Sequence, residues 1–173
     1  MKVSAIIPAA GLGNRFGEAK QFKLLAGHAL FVHSIKIFLN FSKIDEIVLV
    51  APKDKKNIIY DELAPISKNK NIVVINGGIR RQDSVKKGVL ASDINSDLIC
   101  IHDAARPFVT KSIIKRAIVA AGTTDGVVVA IPSVDTVKYS ENGVIEKTIH
   151  RNHVWLAQTP QIFWREKLLK AYD

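Results

Sequence analysis

The residues best suited to chemistry in this sequence are two cations in a glycine-rich segment near the N-terminus. Arg15 and Lys20 lie in or just after the segment that carries Gly11 and Gly13, and an apolar run over residues 3–7 precedes it. Small residues leave backbone N–H groups free to face an anion and keep β-carbons out of its way, while the cations can hold phosphate oxygens. The segment therefore predicts a polyphosphate-binding loop, although a structural turn would also explain the glycines.

Two common phosphate-binding motifs do not fit this segment. The dinucleotide fingerprint needs a third glycine that here, as Gly17, comes one position late, and it needs an acidic residue where the chain has Val50-Ala51-Pro52. A Walker A loop needs Gly-Lys-Ser/Thr, which the sequence lacks. The segment is thus expected to bind phosphate in another way.

A single carboxylate, Asp103, directly follows the apolar run 98–101. One carboxylate suits Mg²⁺, which usually takes one or two protein carboxylates and completes its shell with phosphates and water. Asp103 could instead form an ion pair with Arg106 or cap the next helix. Its neighbour His102 is interpreted as a packed strand residue rather than a ligand.

Two further clusters also lie next to predicted strands. Gly77 and Gly78 allow a flat base to approach the backbone, and Ser84 could form a hydrogen bond with it, but capping of the following helix by Asp83 or Ser84 explains the same residues. In the segment 150–161, Arg151 is a candidate phosphate ligand, and Trp155 is compatible with a place in the core.

Strands and helices alternate along most of the chain. Apolar runs predict strands over 3–7, 44–50, 72–75, 98–101 and 126–131, and apolar residues at helical spacing predict helices over 30–40, 53–67 (interrupted at Pro65), 83–91 and 111–121. This order predicts an α/β fold in one domain over 1–173, with a mostly parallel sheet and helices on both faces. Ligands of such sheets bind beyond the carboxyl ends of the strands, where the clusters lie.

The region after Pro132 has a different pattern. Strand-like runs over 135–140 and 144–149 are separated by Glu141-Asn142-Gly143, and Asn-Gly between two such runs is a strong hairpin signal. The hairpin is expected to form an arm outside the main sheet. Its edge could pair with another subunit or pack on its own domain.

The composition limits the class of protein. A hydrophobic content of 47% is typical of a globular protein. The single cysteine, Cys100, predicts a protein without internal disulfides or a cysteine-based zinc site. The sequence also predicts no membrane span and no signal peptide, so we expect a cytoplasmic protein with a net charge of +9. The basic charge suggests an anionic partner. The cations are scattered without an aromatic-rich basic stripe, so we predict small phosphorylated substrates rather than nucleic acid.

Six motifs together carry a specific resemblance. In order between residues 8 and 163, they are PAAGLGNRF, KQF, GGIRRQDSV, HDAARPF, DTVK and TPQIF. With them the chain resembles the cytidylyltransferases of the non-mevalonate isoprenoid pathway, which join CTP to 2-C-methyl-D-erythritol 4-phosphate. The resemblance implies a Rossmann-like nucleotidyltransferase sheet and a homodimer that exchanges the hairpin arm, at about 133–155.

The resemblance also implies a role for each matching residue. Arg15 and Lys20 would stabilise the transition state, and Asp103 would hold Mg²⁺. The nucleotide would be bound by Ala10, Gly11 and Gly13 at the triphosphate, by Gly78 and Ser84 at the cytosine, and by Ala104 and Arg106 around the ribose and its loop. The sugar phosphate would contact Thr136, Arg151 and Thr159, in part from the partner's arm.

The implied reaction suits these residue types. The nucleophile is a phosphate oxygen that is already anionic near neutral pH, so the protein must supply positioning and charge neutralisation rather than a general base. Two alternatives stay open: a ribitol 5-phosphate cytidylyltransferase, and a non-catalytic basic nucleotide- or nucleic-acid-binding protein of the same fold. The motifs PAAG and DAARP favour the methylerythritol enzyme.

The chain departs from the family pattern at three places. Ala19 stands where the family usually has proline, and Ile79 where it often has an acidic residue. The sequence ends at Asp173, before the family's C-terminal segment with a substrate-contacting threonine and lysine. We therefore expect a C-terminally truncated chain. It is either a fragment, which a fused second enzyme could follow, or a chain without the threonine and lysine of that segment.

Overall fold

The computed structural model describes residues 1–11, 13, 17–67 and 70–172. Its longest described helices have 11 residues, and none of the described helices is long and apolar enough to cross a membrane. The strands are β1 (Val3–Pro8), β2 (Leu24–Leu25), β3 (His28–Ala29), β4 (Glu46–Ala51), β5 (Asn71–Asn76), β6 (Leu98–Ile101), β7 (Gly126–Pro132), β8 (Val137–Glu141), β9 (Val144–Ile149) and β10 (Trp155–Trp164). The helices are α1 (Leu30–Leu39), α2 (Lys56–Leu63), α3 (Arg81–Ala91), α4 (Lys111–Ala121) and α5 (Arg165–Lys170).

One mostly parallel sheet organises the described part of the chain. It contains six strands in the order β5-β4-β1-β6-β10-β7. The neighbours β5, β4, β1 and β6 pair in parallel, whereas β10 runs antiparallel to both β6 and β7. The near-continuous apolar runs of the inner strands explain this arrangement, because strands covered on both faces expose no polar side.

Helices cover both faces of this sheet, as predicted. On one face α1 contributes the fully buried Phe31, Ile35 and Phe38, and α4 adds Ile114. On the other face α3 packs Val85 and Val89 against the inner strands, and partly buried residues of α5 complete the layer. The structure therefore confirms the predicted α/β fold class.

Several local predictions were wrong. Helix α2 covers only Lys56–Leu63, because a 3-10 turn over Lys53–Lys55 precedes it and it ends two residues before Pro65. Strand β10 and helix α5 were not predicted. The strand contains a proline and an irregularity between Ala157 and Gln161, so its sequence lacks a regular apolar pattern. Trp155 is 59% exposed and does not belong to the core.

The predicted hairpin forms from β8 and β9, which make a separate two-stranded antiparallel sheet. Its turn residues Asn142 and Gly143 have φ values of 49° and 81°, which fit the tight turn that Asn-Gly favours. Most of its side chains are exposed, including Val144 and Ile145. The hairpin is thus an arm that presents apolar side chains to its surroundings.

The environment of Cys100 on β6 makes a prediction about reactivity. The side chain is fully buried, and this burial raises the pKa of the thiol to about 12. Because the thiolate is the reactive form, we expect no labelling of the native protein by a thiol reagent at pH 8 and complete labelling in denaturant. Ser112→Cys, at an exposed position of α4, should label at once. Equal labelling rates of the native wild type and this control would contradict the buried position.

Candidate functional site

The loops that follow β1 and β5 meet at the carboxyl edge of the sheet. A β-carbon added to Gly77 would lie 2.2 Å from the Ala10 β-carbon and 3.1 Å from Ser84 Oγ. The backbone N–H groups of Ala9 and Gly77 donate to the carbonyls of Val50 and Ala51, at 2.7 and 2.9 Å, which ties both loops to β4 between them. Glycine is required at position 77, and the segments predicted to bind triphosphate and base are in direct contact.

The glycine-rich loop after β1 closes tightly on itself. Gly13 has a φ of 73°, and a β-carbon there would meet the Glu18 carbonyl oxygen at 1.7 Å, so only glycine is compatible with this backbone. Lys20 begins the 3-10 turn Lys20–Phe22 and is exposed. Arg15, the other predicted cation, lies outside the described residues. The loop thus presents Lys20 to solvent at the same edge of the sheet.

The segment from Gly77 to Ser84, which follows β5 and includes the start of α3, shows the helix capping that was one of the two alternatives considered for it. Asp83 accepts a hydrogen bond from the Arg80 backbone N–H at 3.0 Å and pairs with the Arg80 guanidinium, which holds the pKa of that carboxyl below its ordinary value. Asp83 therefore caps the helix. Ser84 is 4% exposed and its Oγ accepts from the Gly78 N–H at 2.9 Å. Ser84 therefore holds the glycine loop in place through this bond.

Asp103 lies between two arginines just beyond the end of β6. Arg81 donates to Oδ1 from Nε and Nη2, at 2.9 and 2.7 Å, and Arg106 donates to Oδ2 from Nε at 3.2 Å. The pairing with Arg106 was one of the predicted alternatives. The contact of Arg81 was not predicted, although Arg81 is the first residue of α3 and follows the Gly77-Gly78 pair to the same edge. The cluster carries a net positive charge, which suits an anionic ligand.

The hydrogen bonds that Asp103 accepts leave room on its carboxylate for one bond to Mg²⁺. A carboxylate offers about four acceptor positions, and the described contacts use two on Oδ1 and one on Oδ2. The remaining position on Oδ2 would suit a Mg²⁺ ion held mainly by phosphate oxygens and water. Among the described residues, no group of three or more acidic, histidine or cysteine side chains could form a complete metal site.

A chain of hydrogen bonds connects the Asp103 loop to β10. His102 Nε2 lies 3.0 Å from the Arg106 carbonyl, which can only accept, so this nitrogen carries the proton. Nδ1 then accepts from the Thr159 hydroxyl at 2.9 Å, and Thr159 Oγ1 accepts from the Asp103 N–H at 3.3 Å. Burial lowers the pKa of His102 below its ordinary value, which favours the neutral ring. His102 is therefore packed, as predicted, but it lies directly after β6 rather than within it, and it also supports the loop.

The remaining predicted residues occupy two places. Ala104 is buried in the Asp103 loop, and its carbonyl accepts from Ser34 Oγ of α1 at 2.8 Å. Thr136 and Arg151 are exposed at the base of the arm, where Arg151 Nη1 donates to the Val134 carbonyl at 3.0 Å. Within the described residues no hydrogen bond links Thr136 or Arg151 to the loops after β1, β5 and β6.

The buried hydroxyl of Thr159 gives a prediction about stability. Thr159→Val keeps the side-chain shape but leaves His102 Nδ1 and the Asp103 N–H without their partner. We expect the free energy of unfolding to fall by about 1–3 kcal/mol, the usual cost of an unsatisfied buried group. Urea unfolding followed by tryptophan fluorescence measures this change. Thr159→Ser, which retains the hydroxyl, is the control. Equal free energies of unfolding for Thr159→Val and Thr159→Ser would exclude a structural role for the hydroxyl.

Comparison with known proteins identifies close relatives. The profile of the family described as IspD, 2-C-methyl-D-erythritol 4-phosphate cytidylyltransferase, matches residues 3–173. A protein of that name from Syntrophus aciditrophicus (strain SB) is 39% identical over 99% of this chain and 75% of its own length. One from Geobacter metallireducens (strain ATCC 53774 / DSM 7210 / GS-15) is 41% identical over 94% of this chain and 73% of its own.

Solved structures agree with the sequence relatives. The crystal structure of 4-diphosphocytidyl-2C-methyl-D-erythritol synthase from Anaerococcus prevotii DSM 20548 is similar with a TM-score of 0.89 and 31% identity, over 99% of this chain and 74% of that one. The chain therefore belongs to the 2-C-methyl-D-erythritol 4-phosphate cytidylyltransferase family.

Proposed function

We propose that this protein is a cytidylyltransferase of isoprenoid precursor biosynthesis, which joins CTP and 2-C-methyl-D-erythritol 4-phosphate to give the CDP-linked methylerythritol and pyrophosphate. The observation that carries the proposal is the meeting of three family motifs at one edge of the sheet, with Gly77 against Ala10 and Arg81 bound to Asp103. CTP is an intracellular nucleotide, and we place the reaction in the cytoplasm.

The nucleotide is proposed to bind across the loops after β1, β5 and β6. Its triphosphate contacts the backbone of Ala10, Gly11 and Gly13, where small residues permit close approach. Its cytosine lies on Gly78 and the Ser84 hydroxyl. The ribose is held by the loop that contains Ala104 and Arg106. His102 bonds to the carbonyl of Arg106 and Ser34 to that of Ala104, and this support of the loop favours the assignment.

The sugar phosphate is proposed to bind near the base of the arm through Thr136, Arg151 and Thr159. Arg151 is exposed and cationic, which suits a phosphate ligand, whereas the Thr159 hydroxyl already takes part in two hydrogen bonds within the protein. We further propose that the arm pairs with a second copy of the chain. Exposed apolar residues on the arm and on β10 support this homodimer, among them Val144, Ile145 and Trp155.

The proposed reaction is an in-line displacement at the α-phosphorus of CTP. A phosphate oxygen of the sugar phosphate forms the new P–O bond, and the bond between the α-phosphorus and the bridging oxygen breaks, so that its electron pair leaves with pyrophosphate. Lys20 and Arg15 neutralise the charge that develops on the transferring phosphate. Asp103 would hold Mg²⁺, which supplies further charge neutralisation at the phosphate oxygens.

The direct test is the release of pyrophosphate by the purified chain. We expect release with CTP and 2-C-methyl-D-erythritol 4-phosphate together, and none when either is left out. ATP, GTP and UTP at the same concentration test the base, and ribitol 5-phosphate tests the second substrate. Faster turnover with ribitol 5-phosphate would favour the sister enzyme. Salt-sensitive binding of nucleic acid without pyrophosphate release would favour a non-catalytic protein.

Lys20 provides the sharpest mutational prediction. Lys20→Ala removes an exposed charge, so the fold should remain intact, but kcat should fall by about 10²-fold or more because a charge-stabilising group is lost. Arg15→Ala should have an effect of the same order. Steady-state kinetics with CTP and circular dichroism measure the two properties.

The matched control for Lys20 is Lys23→Ala. Lys23 is a nearby exposed lysine whose ammonium pairs with Glu18 at 2.8 Å, outside the proposed site. We expect its kcat to stay close to that of the wild type. Near-normal turnover by Lys20→Ala would show that Lys20 does not act on the transferring phosphate.

A further inference from the structure

Gln21 is a buried polar residue with no role in the proposed reaction. It is 5% exposed, and its Nε2 lies 2.7 Å from both the Ala9 and the Gly11 carbonyl oxygens. An amide nitrogen carries two hydrogens, one for each carbonyl. The opposite orientation of the amide would place its oxygen against two carbonyl oxygens, so the chemistry fixes the donor. Gln21 therefore ties two points of the glycine-rich loop to the following turn.

These bonds determine which groups of the loop face outward. The peptide bond between Ala9 and Ala10 is trans, because the only cis bond among the described residues joins Thr159 and Pro160. In a trans peptide the C=O and N–H groups point in opposite directions. Since the Ala9 carbonyl points at Gln21, the Ala10 N–H points away from this buried side chain. Gln21 thus keeps the Ala9 and Gly11 carbonyl oxygens, which would repel an anion, bound to its own amide.

The same residue also sets the place of Lys20. The turn Lys20–Phe22 sends its three side chains in different directions: Lys20 is exposed, Gln21 bonds to the loop, and Phe22 packs edge-on against Phe31 of the core with ring centroids 5.6 Å apart. The turn is therefore attached to the core on one side and to the loop on the other. A backbone held at both points leaves Lys20 little freedom to move relative to the loop.

We propose that Gln21 is a positioning residue for nucleotidyl transfer: its two hydrogen bonds hold the loop with N–H groups facing the triphosphate and fix Lys20 beside it. This inference rests on the proposed function. Gln21 touches neither substrate and acts through the loop and through Lys20. Charge stabilisation of a transferring phosphate depends on geometry, so a small displacement of Lys20 should reduce the rate strongly.

The test compares Gln21→Met with the wild type in the full chain. Methionine has nearly the length of glutamine but no donor. We expect kcat with CTP to fall by about 10²-fold while KM for the sugar phosphate stays within about twofold, since only the nucleotide loop is displaced. Amide hydrogen exchange at Ala10 and Gly11, measured without ligand, should be faster in the variant. Ser92→Ala is the matched control, because it removes another buried hydrogen bond, to the Val89 carbonyl at 2.7 Å, far from the loop. It should lower the melting temperature without lowering kcat.

Each outcome decides one hypothesis. Gln21→Met with the kcat of the Ser92→Ala control and unchanged exchange would overturn the positioning role. If the wild type releases no pyrophosphate, only the proposed function is contradicted. The role of Gln21 would then be tested by amide hydrogen exchange at Ala10 and Gly11 and by the binding of tripolyphosphate to the wild type and to Gln21→Met. If Gln21→Met does not fold, Gln21→Leu, which is also apolar and lacks the donors, takes its place. Failure of both to fold would assign Gln21 to stability only.

Discussion

The parallel pairing of β1 with β4 and β6 is the constraint on which the site depends. Pro8 pairs with Val50, and Ile6 with Ile101, so the three strands end at nearly the same level of the sheet. Apart from the partly buried Pro8, the residues of these strands are buried, which fixes their register because a slip would expose apolar side chains. The loops that follow them must therefore emerge side by side, and the proposed chemistry needs this proximity.

The ion pairs at that edge contribute more to the electric field than to stability. Asp103, Arg81 and Arg106 have side chains that are 30%, 48% and 42% exposed. Each such partly exposed pair is worth about 0–1 kcal/mol to folding. Their value lies in orientation, since the carboxylate holds two guanidinium groups in place beside a loop with a further cation. A positively charged edge with fixed donors is suited to a triphosphate, which arrives with several negative charges.

The sequence predicted the parts of this fold that follow from local pattern. Apolar runs located the inner strands, and Asn142-Gly143 located the hairpin turn. Strand β10 escaped prediction because its pairing partners β6 and β7 are distant in sequence and Pro160 interrupts its pattern. The Arg81–Asp103 contact also joins distant segments, and no local spacing signals it. The roles of Gln21 and Thr159 depend on burial, which the sequence alone did not show.

Polar residues of the site fall into two groups that differ in burial. Lys20, Arg81 and Arg106 are exposed and can exchange a protein contact or water for a substrate oxygen at little cost. The hydroxyl of Thr159 instead donates to His102 and accepts from Asp103, and freeing it for a ligand would leave a buried group unsatisfied at a cost of about 1–3 kcal/mol. The same reasoning applies to Gln21. Among the proposed contacts of the sugar phosphate, Thr159 would therefore have to give up a hydrogen bond within the protein to bind the ligand, whereas Thr136 and Arg151 are exposed.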